Sequence, residues 1–250
     1  MKLKGAVLVI GSLLWDDAKH RKDWRKHRLM MKKKIHVKVP IRYGRCSGTR
    51  ANEHYTMVFS NDYEINRELG ASFVIPFKNN EIKTLKGILN QGRALSKTEE
   101  KETDGDSKLV KGNNYKWATI CIIINPKLDE LLRNNILSFW RETLIQEGGL
   151  NDIQDYAFEG ESSVLSNNGE LLINWPDSVD KRNQIEINNF DFILTTCTKH
   201  KTCTKHKNNR YPTVQELNQN VAIDNRNYFY NNILNGISTF EDTKIINYKK

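Results

Sequence analysis

The sequence predicts one mixed α/β domain, and three observations carry that expectation. Short apolar runs at residues 5–10, 117–124 and 190–196, the first rich in Val and Ile, read as strands. Segments with the helical period lie between them, the clearest at 127–146. The chain has 250 residues, enough for one generous domain or two small ones with little core each, and no tandem repeat of domain size divides it. With 38% hydrophobic and 28% charged residues the composition is that of a globular protein, not a disordered chain. No stretch approaches the roughly 20 apolar residues of a membrane span.

The elements follow in order. Residues 5–10 are almost continuously apolar and read as a central strand, ended by Gly11-Ser12. The run is too short for the core of a signal peptide, so the chain is expected to be cytoplasmic. Residues 16–30 have helical character around Trp24 and His27. Residues 34–42 alternate, with Ile35, Val37, Val39 and Ile41 on one side, and Pro40 marks an edge or an end. Residues 44–54 read as a polar loop, 55–60 and 71–77 as strands, and 80–101 as a helix whose apolar face holds Ile82, Leu85, Leu89 and Leu95. Gly87 and Gly92 weaken that helix. A loop at 102–114 leads to the strand at 117–124. The helix at 127–146 is stopped by Gly148-Gly149. Residues 150–190 are mixed, with a turn at Ser166-Asn167-Asn168-Gly169 before a candidate strand at 170–175. After the strand at 190–196 comes a basic segment, then helical sequence from 213 to 240 with a break near Asp224-Asn225.

The net charge is +9, and residues 19–38 are dense in Lys and Arg. A solvated helix face accounts for that density; the alternative is attraction for anionic substrates or nucleic acid. Four cysteines, at 46, 121, 197 and 203, are expected to be reduced thiols.

The segment Val9-Ile10-Gly11-Ser12-Leu13-Leu14-Trp15 resembles the opening of the γ-glutamyl cyclotransferase-like superfamily. In that family a first strand ends in a Tyr-Gly-Ser loop, and the glutathione-degrading branch continues Gly-Ser-Leu-Ile-Trp. Residues Ile41 to Arg50, with Tyr55-Thr56-Met57-Val58 after them, are similar in kind and order to the family's strand and Arg- and Gly-rich loop. Gly70-Ala71-Ser72-Phe73-Val74 matches a strand beginning with small residues, and Leu95-Ser96-Lys97-Thr98-Glu99 matches the setting of the family's acidic residue. The resemblance covers about the first 125 residues. It implies an α+β fold, a small mixed β-barrel with surrounding helices, formed by residues 1–250 as a single domain with a C-terminal elaboration from about 150. Two positions depart from the pattern. Ile10 stands where the family has Tyr, which removes a hydroxyl from the loop. Glu100 stands where a Gly usually follows the acid.

The resemblance implies an activity: the substrate's own α-amine attacks its γ-carbonyl and releases 5-oxoproline and an amine, the work of a lyase or acyltransferase. Gly11, Ser12, Leu13 and Leu14 would grip the substrate, with Arg42 and Arg45 (and Arg50) neutralising its carboxylate. A Gly-containing turn whose backbone N–H groups open toward a ligand suits such binding; a tight turn with Ser12 as helix cap is the plainer reading. Glu99 would be the base, because an ammonium has no lone pair until it gives up a proton. The same Glu99 also reads as one of several solvated acids in Glu99-Glu100-Lys101-Glu102. Arg42, Arg45 and Arg50 read equally as a basic surface loop. Tyr43 and Tyr55 read as packing residues. No cofactor is implied.

Cys197, His200, Cys203 and His206 lie within a repeat of Cys-Thr-Lys-His-Lys. They are zinc-type ligands, but the common modules separate their ligand pairs by about a dozen residues. Interleaved lysines would repel a cation, so a short duplication in a loop is expected and no metal site. The partner expected is a small γ-glutamyl substrate, with no membrane. A non-catalytic module holding a small anion on the same fold is the second reading. A nucleic-acid-associated protein ranks last, since no recognised motif supports it.

Overall fold

A computed structural model describes residues 1–47, 54–61, 69–79, 81–99, 107–112, 117–151, 153–158, 160–200, 210–224 and 227–248. These residues form an α+β structure around one mixed sheet. The strands are β1 (Gly5–Val9), β2 (Ile35–Val39), β3 (Ile41–Ser47), β4 (His54–Phe59), β5 (Gly70–Pro76), β6 (Val110–Lys111), β7 (Ala118–Ile124), β8 (Asp177–Ser178) and β9 (Phe192–Thr198). The helices are α1 (Lys19–Arg28), α2 (Leu85–Glu99), α3 (Glu130–Gln146), α4 (Gln184–Asn188), α5 (Val214–Ile223), α6 (Tyr228–Leu234) and α7 (Asp242–Asn247).

Seven strands make the main sheet in the order β6-β7-β9-β1-β5-β2-β8. All five residues of β1 are buried, as their unbroken apolar run requires of a central strand. β1 pairs in parallel with β9 (Val7 opposite Leu194) and antiparallel with β5 (Val7 opposite Ile75). The chain beyond residue 150 therefore supplies a strand at the heart of the sheet.

The expected β-barrel is corrected: this sheet is open. It ends in two strands of two residues each, β6 and β8, and β3 and β4 form a separate two-stranded ribbon. Pro40 stands between β2 and β3, where it offers no N–H to continue one ladder into the next. β3 also runs through residues expected to be loop, as far as Ser47, with a register shift between Tyr43 and Arg45 that takes up the extra residue. The candidate strand at 170–175 reduces to single bridges at Glu170 and Leu171, and the ladder forms instead at β8, just past Pro176.

α2 begins later than expected, at Leu85, where Thr84 Oγ1 accepts from the Gly87 amide at 3.0 Å. Its buried Ile88, Leu89 and Leu95 lie on one side, toward the sheet. Gly92, a weak point on propensity, is where α3 comes close: a Cβ there would lie 2.7 Å from the fully buried Trp140 ring. This packing fixes the C-terminal end of α2, and with it Glu99.

Cys121 and Cys197 are free and buried. Cys46 is disulfide-bonded, which corrects the expectation of reduced thiols throughout; its partner lies outside the described residues. Among the described residues no helix is long and apolar enough to cross a membrane.

Candidate active site

The chain leaves β1 through a short 3₁₀ turn, Gly11–Leu13, and that turn floors a cavity of about 940 Å³. Gly11 has φ +73°, a left-handed conformation that residues with a Cβ rarely adopt. The turn closes with Leu14 N–H donating to Gly11 O at 3.2 Å, and Trp15 and Asp16 N–H both donating to Ser12 O, at 3.2 and 2.8 Å. The amides of Gly11, Ser12 and Leu13 precede the first of these bonds, so the turn itself offers them no acceptor.

The basic helix α1 holds this turn in place. Arg21 and Arg25 lie four residues apart, on one helical face. Arg25 donates to Leu13 O and to Asp16 O, each at 2.8 Å. Arg21 donates through Nη1 to Ser12 Oγ at 2.8 Å and to Asp16 Oδ2 at 2.9 Å, and through Nε to Thr98 O at 3.1 Å. Its Nη2 lies 3.7 Å from Glu99 Oε2. One guanidinium thus joins the turn to the last residues of α2, where a cation also complements the helix C-terminus. Ser12 is not a helix cap: no side chain caps this turn, and its hydroxyl accepts from Arg21.

Glu99 lines the cavity with its side chain only 11% exposed. Burial pushes its pKa above the usual carboxylate value, and the Thr196 hydroxyl, Arg21, Arg45 and Lys111 oppose that rise. Thr196 and Thr198, on the same side of β9, also line the cavity. Among the described residues no hydrogen-bond partner meets Thr198 Oγ1. Arg45 lies on the wall with its guanidinium 4.4 Å from the centre of the Trp117 ring.

The residues singled out in the sequence divide as follows. Ser12, Leu13, Arg45 and Glu99 line the cavity, as does Ile10. Gly11 forms the turn itself, and Leu14 is packed in the core. Arg42 lies outside that lining. It is buried, donates to Glu241 Oε1 at 3.0 Å and stacks 3.5 Å over the Tyr211 ring, because a buried carboxylate demands a cation there. Tyr43 and Tyr55 are buried packing residues. Arg50, Glu100 and Glu102 lie outside the described residues, as do Cys203 and His206 of the Cys/His repeat. Cys197 is packed in the core, and His200 stacks edge-on against Phe158 and Tyr211. Among the described residues no group of three His, Cys, Asp or Glu side chains is placed to hold a metal.

Sequence reasoning missed the far wall. α6 contributes Tyr228 and Asn231 to the lining, Asn235 at its C-terminal end joins them, and its fully buried Asn232 accepts from Trp15 Nε1 at 2.7 Å. The signal was a helical face at 228, 231, 232 and 235 made of Tyr and Asn where a packing face would be apolar.

Comparison with protein-family models, with curated proteins and with solved structures found no match.

Proposed function

We propose that the protein is a γ-glutamyl cyclotransferase-type enzyme that converts a γ-glutamyl amine or peptide to 5-oxoproline and a free amine. The observation that carries this reading is the Arg21 bridge. It joins a turn with open backbone amides to a buried carboxyl whose pKa is raised, on one cavity.

The chemistry assigns each group a task. The amides of the 11–13 turn receive the substrate's γ-carbonyl oxygen. Arg45 and the Thr198 hydroxyl, on the opposite wall, take the α-carboxylate. Held at both ends, the glutamyl chain curls until its α-nitrogen meets its γ-carbon. Glu99 accepts a proton from the α-ammonium, and the freed lone pair forms the new C–N bond while the carbonyl π pair moves to oxygen. The ring nitrogen sheds a second proton. As the oxyanion collapses, the bond from the γ-carbon to the departing nitrogen breaks. Both protons end on that nitrogen, which leaves as an ammonium, and Glu99 returns to its starting state. A raised pKa suits this work, because it narrows the gap between carboxyl and ammonium. A cavity of about 940 Å³ has room for a γ-glutamyl peptide.

The test is to incubate the protein with γ-glutamyl amines and peptides, glutathione among them, and to measure 5-oxoproline by mass spectrometry. Product from at least one substrate is expected. No product from any of them, with thermal stabilisation by glutamate or 5-oxoproline, would move the site to the non-catalytic, anion-binding reading.

A further inference from the structure

We propose that Tyr228 is a catalytic hydrogen-bond donor of this site: its phenol O–H joins the backbone amides of the Gly11–Leu13 turn in holding the oxygen that becomes negative during ring closure. The inference rests on the cyclotransferase reading of the cavity.

Four observations lead to it. First, the phenol oxygen sits directly over the turn, since a Cβ built on Gly11 would overlap the Tyr228 hydroxyl. Gly11 is thus required twice, by its left-handed backbone and by the group that covers it. Second, the residue is only 7% exposed and lines the cavity. Third, among the described residues no acceptor receives the Tyr228 O–H. A phenol O–H with no acceptor of its own is available to a ligand. Fourth, burial raises the phenol's pKa to about 12, so the proton is present throughout the working range.

The ring is fixed by contacts that do not involve the hydroxyl. It packs edge-on against Trp15 with centroids 5.9 Å apart, and tilted against His54 at 5.6 Å. Its backbone N–H donates to Asp224 Oδ2 at 2.5 Å, which pins the start of α6. Trp15 is tied to the same helix through Asn232. The residue just before Gly11 is Ile10, which brings no hydroxyl to the turn. Helix α6 brings one over the turn through Tyr228.

A donor that meets the oxygen only as it becomes an oxyanion lowers the barrier without tightening ground-state binding. Tyr228→Phe keeps the ring and its packing, so its melting temperature should match that of the wild type. With a γ-glutamyl peptide that the wild type turns over, kcat should fall about 100-fold, the usual cost of one oxyanion donor, while KM stays within about twofold. An unchanged kcat, or a loss confined to KM, overturns the role given to Tyr228 and leaves the cyclotransferase reading standing. No 5-oxoproline from the wild type with any substrate overturns both.

Discussion

Replacing Gly11 by alanine should damage both stability and turnover, by amounts that follow from its surroundings. The backbone there has φ +73°, and an L-residue with a Cβ pays roughly 1–2 kcal/mol to adopt it. The new methyl would also overlap the Tyr228 hydroxyl, and overpacking of this kind costs about 1–3 kcal/mol. The sum is about 2–5 kcal/mol, a large share of the roughly 5–15 kcal/mol of a whole domain. Denaturant unfolding of the purified variant reads this loss directly. The double variant Gly11→Ala/Tyr228→Phe separates the two causes. It removes the overlapping oxygen and keeps the backbone strain, so its loss should fall to about 1–2 kcal/mol. Turnover should drop at least about 100-fold in the single variant, since displacing the turn by an ångström misplaces its donors. A Gly11→Ala cost below about 0.5 kcal/mol, or a double variant no more stable than the single one, would refute this account of the turn.

Two further outcomes concern titrating groups. Arg21 holds the Glu99 pKa down against its burial, so Arg21→Gln should move the acid limb of the kcat/KM profile to higher pH; an unmoved limb would show that Arg21 does not act on the base. Asp242 is buried, with a pKa raised from 3.8 to about 6, chiefly by that burial. A folded-state value above the unfolded one means that stability falls as pH rises from about 4 through 6. A shift of about two units corresponds to roughly 3 kcal/mol, so Asp242→Asn should gain up to that much at pH 7.5 and nothing near pH 3.5. A loss at pH 7.5 that is absent at pH 3.5 would mean that the ionised carboxylate is stabilising.

The parts of this fold that can be read from sequence are those where one local pattern decides. β1 and β7 are near-continuous apolar runs, and only a strand buried on both faces accepts them. In α3, apolar residues recur at the helical period over nearly five turns. Sequence reading fails where a distant partner decides. Gly44-Arg45-Cys46-Ser47 has the composition of a loop, and β4 alone makes it a strand. Asp177-Ser178 carries no strand signal, and becomes an edge strand because β2 offers Val37 and Lys38 to pair with.

The site divides in the same way. The turn after β1 and the carboxyl at the end of α2 stand in recognisable local settings. Arg21 looks like one more cation in a solvated run, and only the packing of α1 against α2 turns it inward. Arg42 and Arg45 are close neighbours in one strand, yet Glu241 claims the first and the second faces the cavity. No local rule separates them. Nothing near Tyr228 in the chain marks it as a neighbour of Gly11.

The central claim is that Glu99 moves the proton that allows ring closure. Its most direct test compares 5-oxoproline formation by the wild type and by Glu99→Gln, on the wild type's best γ-glutamyl substrate, with circular dichroism of both proteins. The account predicts matching spectra and turnover lower by about 100- to 10,000-fold in the variant. A folded Glu99→Gln that still releases 5-oxoproline at the wild-type rate would contradict it.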